Sequence, residues 1–353
     1  MIIELKPLDT LFFRDGKPFN KGYETVADTI FPPFPATIYG ALRTAFFDNN
    51  ISKFQELLHN KSFNTENDPT TKLKINNILI KSNDSDYLFT TPKNMLTCKD
   101  DNQSSVIVID KLNTTNLSNC QLSGLVNETE KNYKYHNSYL DELSFEYYLE
   151  KDYSKITNTK SDTIFDVEPK IGIALDNNTN TAKDSNLYRI DLVRLKDDIV
   201  LQVDFEGLEL PDNFVMKLGG EGKFVSAKQV ETSWKIKAPD IDDKFIIYLN
   251  TPAIFKNGWL PGWVDESDYT GIIPNTDIKV KLLTANIGKP LLIGGFDMAT
   301  RKPKPMFKAV PTGSVYFFKI ISGNPLQLNQ IHQTSISDYY PEQGFGTIYI
   351  GKL

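Results

Sequence analysis

Two stretches of this chain end alike, with a glycine-marked turn that runs into an apolar strand. One is LGGEGKFVSAKQV at residues 218–230 and the other is QGFGTIYIGKL at residues 343–353. Each ending follows a run of strand-like segments. The opening IIELKPLDTLFF alternates and then runs apolar, which predicts a strand ending at the turn RDGKPF. FPPFPATIYGALRTAFFDNN follows, with Pro35 in a first helical turn and Ile38, Leu42, Ala45 and Phe46 at helical spacing. Arg43 sits off that apolar stripe, and ISKFQELLHN predicts a second short helix. KIGIAL, LYRIDLVRL and DDIVLQVDFEG predict strands that lead to the first glycine turn. After TSWKIKAPD a similar order begins again: DKFIIYLNTPAIF, an irregular KNGWLPGW, then DIKVKLLTANIG and SVYFFKII before the second turn. The order predicts an α+β chain built on a duplicated β-α-β-β-α-β unit. Strands are the clearer elements, and helices in the second half are barely visible. Residues from about 60 to 162 are rich in Asn, Ser, Thr, Lys and Asp. That composition predicts long polar insertions that bury little surface.

The glycines of the first turn fit no nucleotide motif. A triphosphate loop needs Gly-x-x-x-x-Gly-Lys-Ser/Thr, but Lys217 stands at the first glycine position and Phe224 at the hydroxyl position. A dinucleotide fingerprint would place a third glycine at Val225 and a helix after it. Two readings of Gly219, Gly220 and Gly222 stay open: a tight turn that needs positive φ, or backbone amides gathered to accept a phosphate oxygen, with Lys217 and Lys223 adding charge. Glu221 is an awkward member of a phosphate site unless it points away. Gly344 and Gly346 carry the same two readings.

Charge narrows the partner class. The 353 residues carry 39 Lys and Arg against 45 Asp and Glu, a formal net charge of −6, which argues against indiscriminate binding to nucleic acid. Lys289, Arg301, Lys302, Lys304, Lys308 and Lys319 nevertheless cluster with Asp297 as the only acid among them. One basic groove on an acidic protein, or a solvated face, accounts for this. Pro303 and Pro305 keep that loop extended, and Phe296, Met298, Met306 and Phe307 alternate with its cations as stacking surfaces or core anchors. Only His59, His136 and His332 are available for proton transfer, and none has an obvious partner. Asp9, Asp15 and Asp28 read as turn acids. No metal-ligand spacing occurs, no cofactor is implied, and no catalytic residue is assigned. Cys98 and Cys120 form no CxxC, no apolar run reaches the ~20 residues of a membrane helix, and MIIELKPLDT lacks an export signal's basic and apolar regions. These features predict a cytoplasmic protein with no membrane partner.

Six blocks in order then resemble a known family: LKPLDTLFFRDGKPF, FPPFPATIYGALRTAFF, EPKIGIALDNNTNTAKDSNLYRIDLVRL, LGGEGKF, GGFDMATRKPKPMFKAVPTGSVYFF and GFGTIYIG. The chain resembles the RAMP-superfamily subunit of type III-B (Cmr) CRISPR effector complexes that holds the 5′ end of the guide RNA. The resemblance implies two ferredoxin-like (RRM-like) domains in tandem. The first would be 1–235, with the insertions at about 60–162, and the second 236–353. It implies a non-catalytic RNA-binding subunit in antiviral defence. Such a subunit holds the repeat-derived 5′ tag of the guide RNA (crRNA) and docks on the large polymerase- and cyclase-like subunit beside the backbone RAMP subunits. Carried over by position, Arg14 and Lys17 fall in the N-terminal turn and Arg43 on the first helix. Gly219, Gly220, Gly222 and Lys223 fall in the first glycine loop, and Arg301, Lys302, Lys304 and Lys308 in the basic loop. Gly344 and Gly346 fall in the second turn. Lys17 stands where arginine is commoner, which keeps the charge and loses a bidentate fork. DNNTNTAKDSN lacks a usual glycine, and Thr312 replaces a small alanine. The alternatives are a metal-independent endoribonuclease that trims precursor guides, or a β-rich scaffold whose glycines only turn the chain.

Overall fold

The computed structural model describes residues 1–14, 16, 26–27, 29–60, 62–63, 65–82, 87–98, 106–113, 122–125, 133–135, 138–156, 159–160, 164–175, 181–231, 234–297 and 302–353. In chain order its principal elements begin with strand β1 (Ile2–Pro7) and helices α1 (Pro35–Asp48) and α2 (Ile51–Asn60). Strands β2 (Lys74–Ser82), β3 (Tyr87–Thr90) and β4 (Tyr139–Asp141) come next, then helix α3 (Glu142–Leu149). Strands β5 (Phe165–Leu175), β6 (Ala182–Leu195), β7 (Ile199–Glu206), β8 (Asn213–Lys217) and β9 (Phe224–Val230) follow. The chain finishes with β10 (Lys244–Leu249), β11 (Lys279–Asn286), β12 (Val315–Ser322), the one-turn helix α4 (Leu328–Ile331) and β13 (Ile348–Lys352). The fold is therefore mixed α/β, mostly strands with few helices.

The described residues divide into two compact units. The first holds Met1–Ile75, Asp162–Thr232 and Leu291–Lys308; the second holds Asn76–Ser161, Ser233–Pro290 and Ala309–Leu353. The units thus interleave along the sequence.

In the first unit β1 is central. Ile3 lies opposite Val203 of β7 and Gln229 of β9, and Leu5 opposite Leu201 and Ala227, both pairs antiparallel. Ile3 and Leu5 are wholly buried while Lys6 is exposed, the two-residue period of a strand with one face on a core. β8 hairpins onto β9. Helix α1 starts as its sequence predicts, with Pro35 in the first turn, and buries Ile38, Leu42, Ala45 and Phe46. It stops where Asn49 and Asn50 turn their side-chain amides back onto the carbonyls of Ala45 and Phe46 at 2.9 and 2.8 Å. β5 and β6 form one long antiparallel ribbon, against which Val26–Ala27 pairs in parallel.

In the second unit the strand order is β13-β10-β12-β11, all antiparallel, with Thr270–Ile272 at the edge. After the exposed Lys244, β10 is apolar from Phe245 to Leu249 because both of its faces are covered there. Phe245, Ile247 and Leu249 enter one core cluster, while Ile246 and Tyr248 enter another. The second cluster corrects the expectation that residues 60–162 bury little. Phe89, Phe145 and Tyr148, at 1%, 0% and 0% exposure, lie inside it, and the rings of Phe89 and Phe145 stack at 4.0 Å. Asp141 caps α3 by accepting the Ser144 N–H at 2.9 Å, so the acidic stretch LDELSFEYYLE is a capped helix with aromatic residues on its buried side.

Candidate nucleic-acid interface

Residues 8–16 of the first unit tie several sequence-predicted site elements together through backbone hydrogen bonds. Leu8 N–H donates to Phe224 C=O at 3.1 Å, and Leu11 exchanges bonds with Val193 of β6. Phe12 C=O accepts the Gly220 N–H at 2.9 Å, and Gly16 N–H donates to Leu292 C=O at 3.1 Å. The first of these last two bonds seats the glycine loop on the N-terminal segment. The second seats the N-terminal turn on the base of the basic loop. Both approaches need small residues: a Cβ on Gly219 would lie 2.3 Å from Phe12 O, and one on Gly16 would lie 2.5 Å from Leu292 O.

The glycine loop closes the β8–β9 hairpin. Leu218 N–H donates to Lys223 C=O at 3.0 Å, and Lys223 N–H to Gly220 C=O at 3.3 Å. Gly219, Glu221 and Gly222 all have positive φ, at 80°, 58° and 62°. Their N–H groups have no acceptor among the described residues. Three amides without an acceptor among the described residues therefore stand on one exposed bend, the donor type from which anion-accepting nests are built. A Cβ on Gly222 would meet nothing within 4 Å, so the space over the bend is open. The awkward carboxylate turns aside: Glu221 lies 3.4 Å from Lys170 of β5.

Lys223 is committed elsewhere. Its Nζ lies 2.9 Å from Asp9 Oδ2 and donates to Thr10 Oγ1 at 2.8 Å. Asp9 is shared with Arg194, whose guanidinium also grips Glu168. The Lys223 hydrogen bond, helped by the Thr10 amide, pulls the Asp9 carboxyl down to about 2. Lys223 thus fastens the glycine loop to the N-terminal segment, and the positive charge at the bend is balanced.

The basic loop differs. Lys302, Lys304 and Lys308 are exposed, and none has an ion-pair partner among the described side chains. Lys302–Pro303 pairs with Phe296–Asp297, and Lys304 N–H donates to Gly295 C=O at 2.9 Å, which holds the loop extended as its prolines predict. Met306 is half exposed and Phe307 half buried. Phe224 was not singled out by the sequence. It closes the glycine hairpin opposite Lys217, whose Nζ stands 5.8 Å over its ring, and it is 41% exposed. An aromatic next to a glycine-lysine turn is the signal for it, and such a ring is a stacking platform for a base.

Other expected site residues take different places. Arg14 is exposed and bridges Thr29, while Lys17 and Arg301 lie outside the described residues. Arg43 is held inside the first unit, donating to Asp68 at 2.6 Å and to Thr70 Oγ1 at 2.7 Å. Gly344 and Gly346 are buried. Gly344 N–H donates to Pro341 C=O and Gly346 N–H to Pro252 C=O, so these amides are spent within the fold. Of the two readings of this turn, the spent amides and the burial of both glycines favour the tight turn. Among the histidines, His59 is exposed at the end of α2 and His136 lies outside the described residues. His332 is buried, with its Nδ1 accepting the Ile350 N–H at 3.0 Å. No metal-holding cluster occurs among the described residues, and no helix among them is long and apolar enough to cross a membrane.

Comparisons with known proteins agree along the whole chain. The family model for CRISPR-associated protein Cas_Cmr3 matches residues 3–353. The CRISPR system CMR subunit Cmr3 of Saccharolobus solfataricus is 25% identical over 333 residues, covering 92% of this chain and 88% of the relative. A chain in the cryo-EM structure of type III-B Cmr-beta bound to cognate target RNA is similar in fold. It has a TM-score of 0.56 and 18% identity, and the match covers 99% of this chain and 96% of that one. A chain of the same assembly bound to cognate target RNA and AMPPnP gives a TM-score of 0.50 at 20% identity, with 90% and 86% covered.

Proposed function

The chain belongs to the Cas_Cmr3 family of CRISPR-associated proteins, and from that premise we propose that it is the non-catalytic subunit that holds the 5′ repeat-derived tag of the guide RNA. It is a type III-B Cmr subunit of the RAMP kind. In this reading it docks on the large polymerase-like subunit and the backbone RAMP subunits of the complex, in the cytoplasm, as part of antiviral defence.

The observation that carries the reading is the N-terminal segment. It brings an exposed bend with three amides and a loop of lysines, neither with a partner for these groups among the described residues, onto one scaffold through the Phe12–Gly220 and Gly16–Leu292 hydrogen bonds. The N–H groups of Gly219, Glu221 and Gly222 donate to one phosphate. Lys302, Lys304 and Lys308, with Arg14, follow the strand onward, and Phe224 stacks on a base. Lys223, Arg43, Gly344 and Gly346 act by positioning: they hold loops and helices in place. Phosphate contacts give affinity and salt dependence, and base contacts give preference for the tag.

The architecture supports two ferredoxin-like halves, 1–235 and 236–353. In the second half the order β13-β10-β12-β11 is the 4-1-3-2 order of a β-α-β-β-α-β unit. In the first half β1 lies between β9 and β7, the last strand and an inner one, as that order requires. Each half departs at one helix: β8 stands where the first half would have its second helix, and the irregular Trp-rich stretch replaces the first helix of the second half.

The test is binding of the purified chain to a tag-bearing guide and to a scrambled RNA of equal length, at several salt concentrations. Lys302→Gln with Lys304→Gln is expected to weaken tag binding by about tenfold and to flatten the salt slope by about 1.4, from ~0.7 per phosphate contact on a single strand. Equal weak binding of both RNAs by the unmodified chain overturns the reading.

A further inference from the structure

The second unit carries a row of like charges that its own fold does not neutralise. Lys319 of β12 lies directly opposite Lys244 of β10 on one side and Lys281 of β11 on the other. Neighbouring strands are about 4.8 Å apart, so the backbone sites of three ammonium-bearing residues fall on one line across three strands. They share one sheet face, because register partners point to the same side and Lys244 and Lys319 alternate with the inward-facing Phe245 and Phe318. Lys244 and Lys319 are exposed and Lys281 is half buried. Like charges set directly opposite each other destabilise a sheet. None of the three amines has an ion-pair or hydrogen-bond partner among the described residues. Acids are close in sequence at Asp240, Asp242 and Asp243, yet the nearby Lys352 takes Glu150 at 2.5 Å while the row takes no carboxylate.

We propose that this row is a second RNA-backbone site, which grips the phosphates of a single strand without reading its bases. A phosphodiester chain supplies repeated single charges along a line, which matches three point-charge lysines in register. Lysine suits that role because its ammonium needs no fixed geometry, whereas paired recognition of carboxylates favours the planar fork of arginine. No aromatic residue among the exposed large side chains belongs to these three strands, so base stacking has no platform there and the contact is to the backbone. The inference takes only the class of its ligand from the guide-binding reading; the tag itself is not needed for it.

The test uses the full chain with three neutralising substitutions, Lys244→Gln, Lys281→Gln and Lys319→Gln. A control carries Lys235→Gln, Lys237→Gln and Lys256→Gln, exposed lysines off the row. The probes are a 20-nucleotide polyuridine and a tag-bearing RNA of the same length. The row variant is expected to bind both probes about tenfold or more weakly near physiological salt, with the salt slope lowered by about 2, since each single-strand phosphate contact contributes ~0.7. Its thermal midpoint should be unchanged or higher, because three opposed charges have been removed, and the control should bind as the unmodified chain does. An unchanged slope, or an equal loss in the control, overturns the site. Intact RNA binding with lost assembly onto the other Cmr subunits makes the row a protein contact and also overturns it. If the unmodified chain shows no preference for the tag but the row effect remains, the guide-tag reading fails and this one stands.

Discussion

Arg43 shows how a side chain's place on a helix is legible in sequence while its task is not. Its position off the apolar stripe of α1 follows from spacing alone. Its partner Asp68 sits 25 residues away in an irregular segment, and nothing in the local sequence points to it. The Asp68 side chain is wholly buried and the Arg43 side chain is 22% exposed, so removing the guanidinium takes the 2.6 Å ion pair from a buried carboxylate that also accepts from Thr70. Arg43→Ala is expected to lower stability by about 3 kcal/mol. Arg43→Lys should cost about 1 kcal/mol, because one donor is lost and the charge remains. Urea unfolding measures both. The guide affinity of the folded lysine variant should match that of the unmodified chain; a separate loss of affinity would make Arg43 a direct RNA contact. His332 offers a pH signature. Burial pushes its imidazole down to about 4 from an ordinary 6.5, so the native state holds it neutral while the unfolded chain takes up a proton near 6.5. The stability from that neutral state is complete above about pH 6.5 and is lost as pH falls toward 4, at up to about 1.4 kcal/mol per pH unit. Unfolding curves at pH 6.5 and 5 should show this dependence, and His332→Gln should flatten it.

At the scale of the element, the two glycine turns share one sequence signature and serve different ends. Positive φ was legible at both, since Gly-x-Gly before an apolar strand asks for it. What covers each bend was not, because cover comes from residues distant in the chain. Thr251 donates its hydroxyl to Gly344 C=O at 2.7 Å, and Pro252 accepts the Gly346 N–H. A Cβ on Gly346 would lie 2.7 Å from Ser337. Nothing comparable covers Gly222. Alanine substitutions separate the two roles within the first loop itself. Gly219→Ala meets Phe12 O at 2.3 Å with φ at 80°, so it is expected to lift the hairpin from the N-terminal segment, seen as faster amide exchange at Gly220. Gly222→Ala adds a methyl into open space at φ 62° and should cost only about 1 kcal/mol of backbone strain. That methyl stands where a phosphate would enter, so its effect should appear in guide-RNA affinity. A Gly222→Ala protein that binds the tag-bearing RNA as tightly as the unmodified chain removes the bend from the site.

Over the whole molecule, the repeat written in the sequence and the units built in space divide the chain differently. The largest sheet, of eight strands, comes from residues before 235 and the five-stranded sheet from residues after it, and most of their strands were legible in the sequence. The path of residues 76–161 was not, because their averaged Asn, Ser and Thr content conceals a few aromatic positions. Phe145 lies 4.9 Å from Tyr248 and 5.3 Å from Tyr349, and Phe89 lies 4.8 Å from Trp234. Tyr148 and Tyr349 are likewise buried, with hydroxyls bonded to Asn94 and Asn77. Burying such a ring contributes about 1.5–3 kcal/mol, so this segment depends for several rings on strands that come after residue 235. A fragment of residues 1–235 therefore contains one half of the repeat without containing a complete compact unit. It also lacks 291–308, which belongs to the first unit. Limited proteolysis of that fragment is expected to cut rapidly within 87–98 and 138–156, whereas those two stretches in the full chain resist. Their amides should exchange quickly in the fragment alone, since the aromatic cluster that shields them cannot form. Equal protection in both proteins would mean that the first half folds without β10 and β13, and that the aromatic contacts add little to holding 87–98 and 138–156 in place.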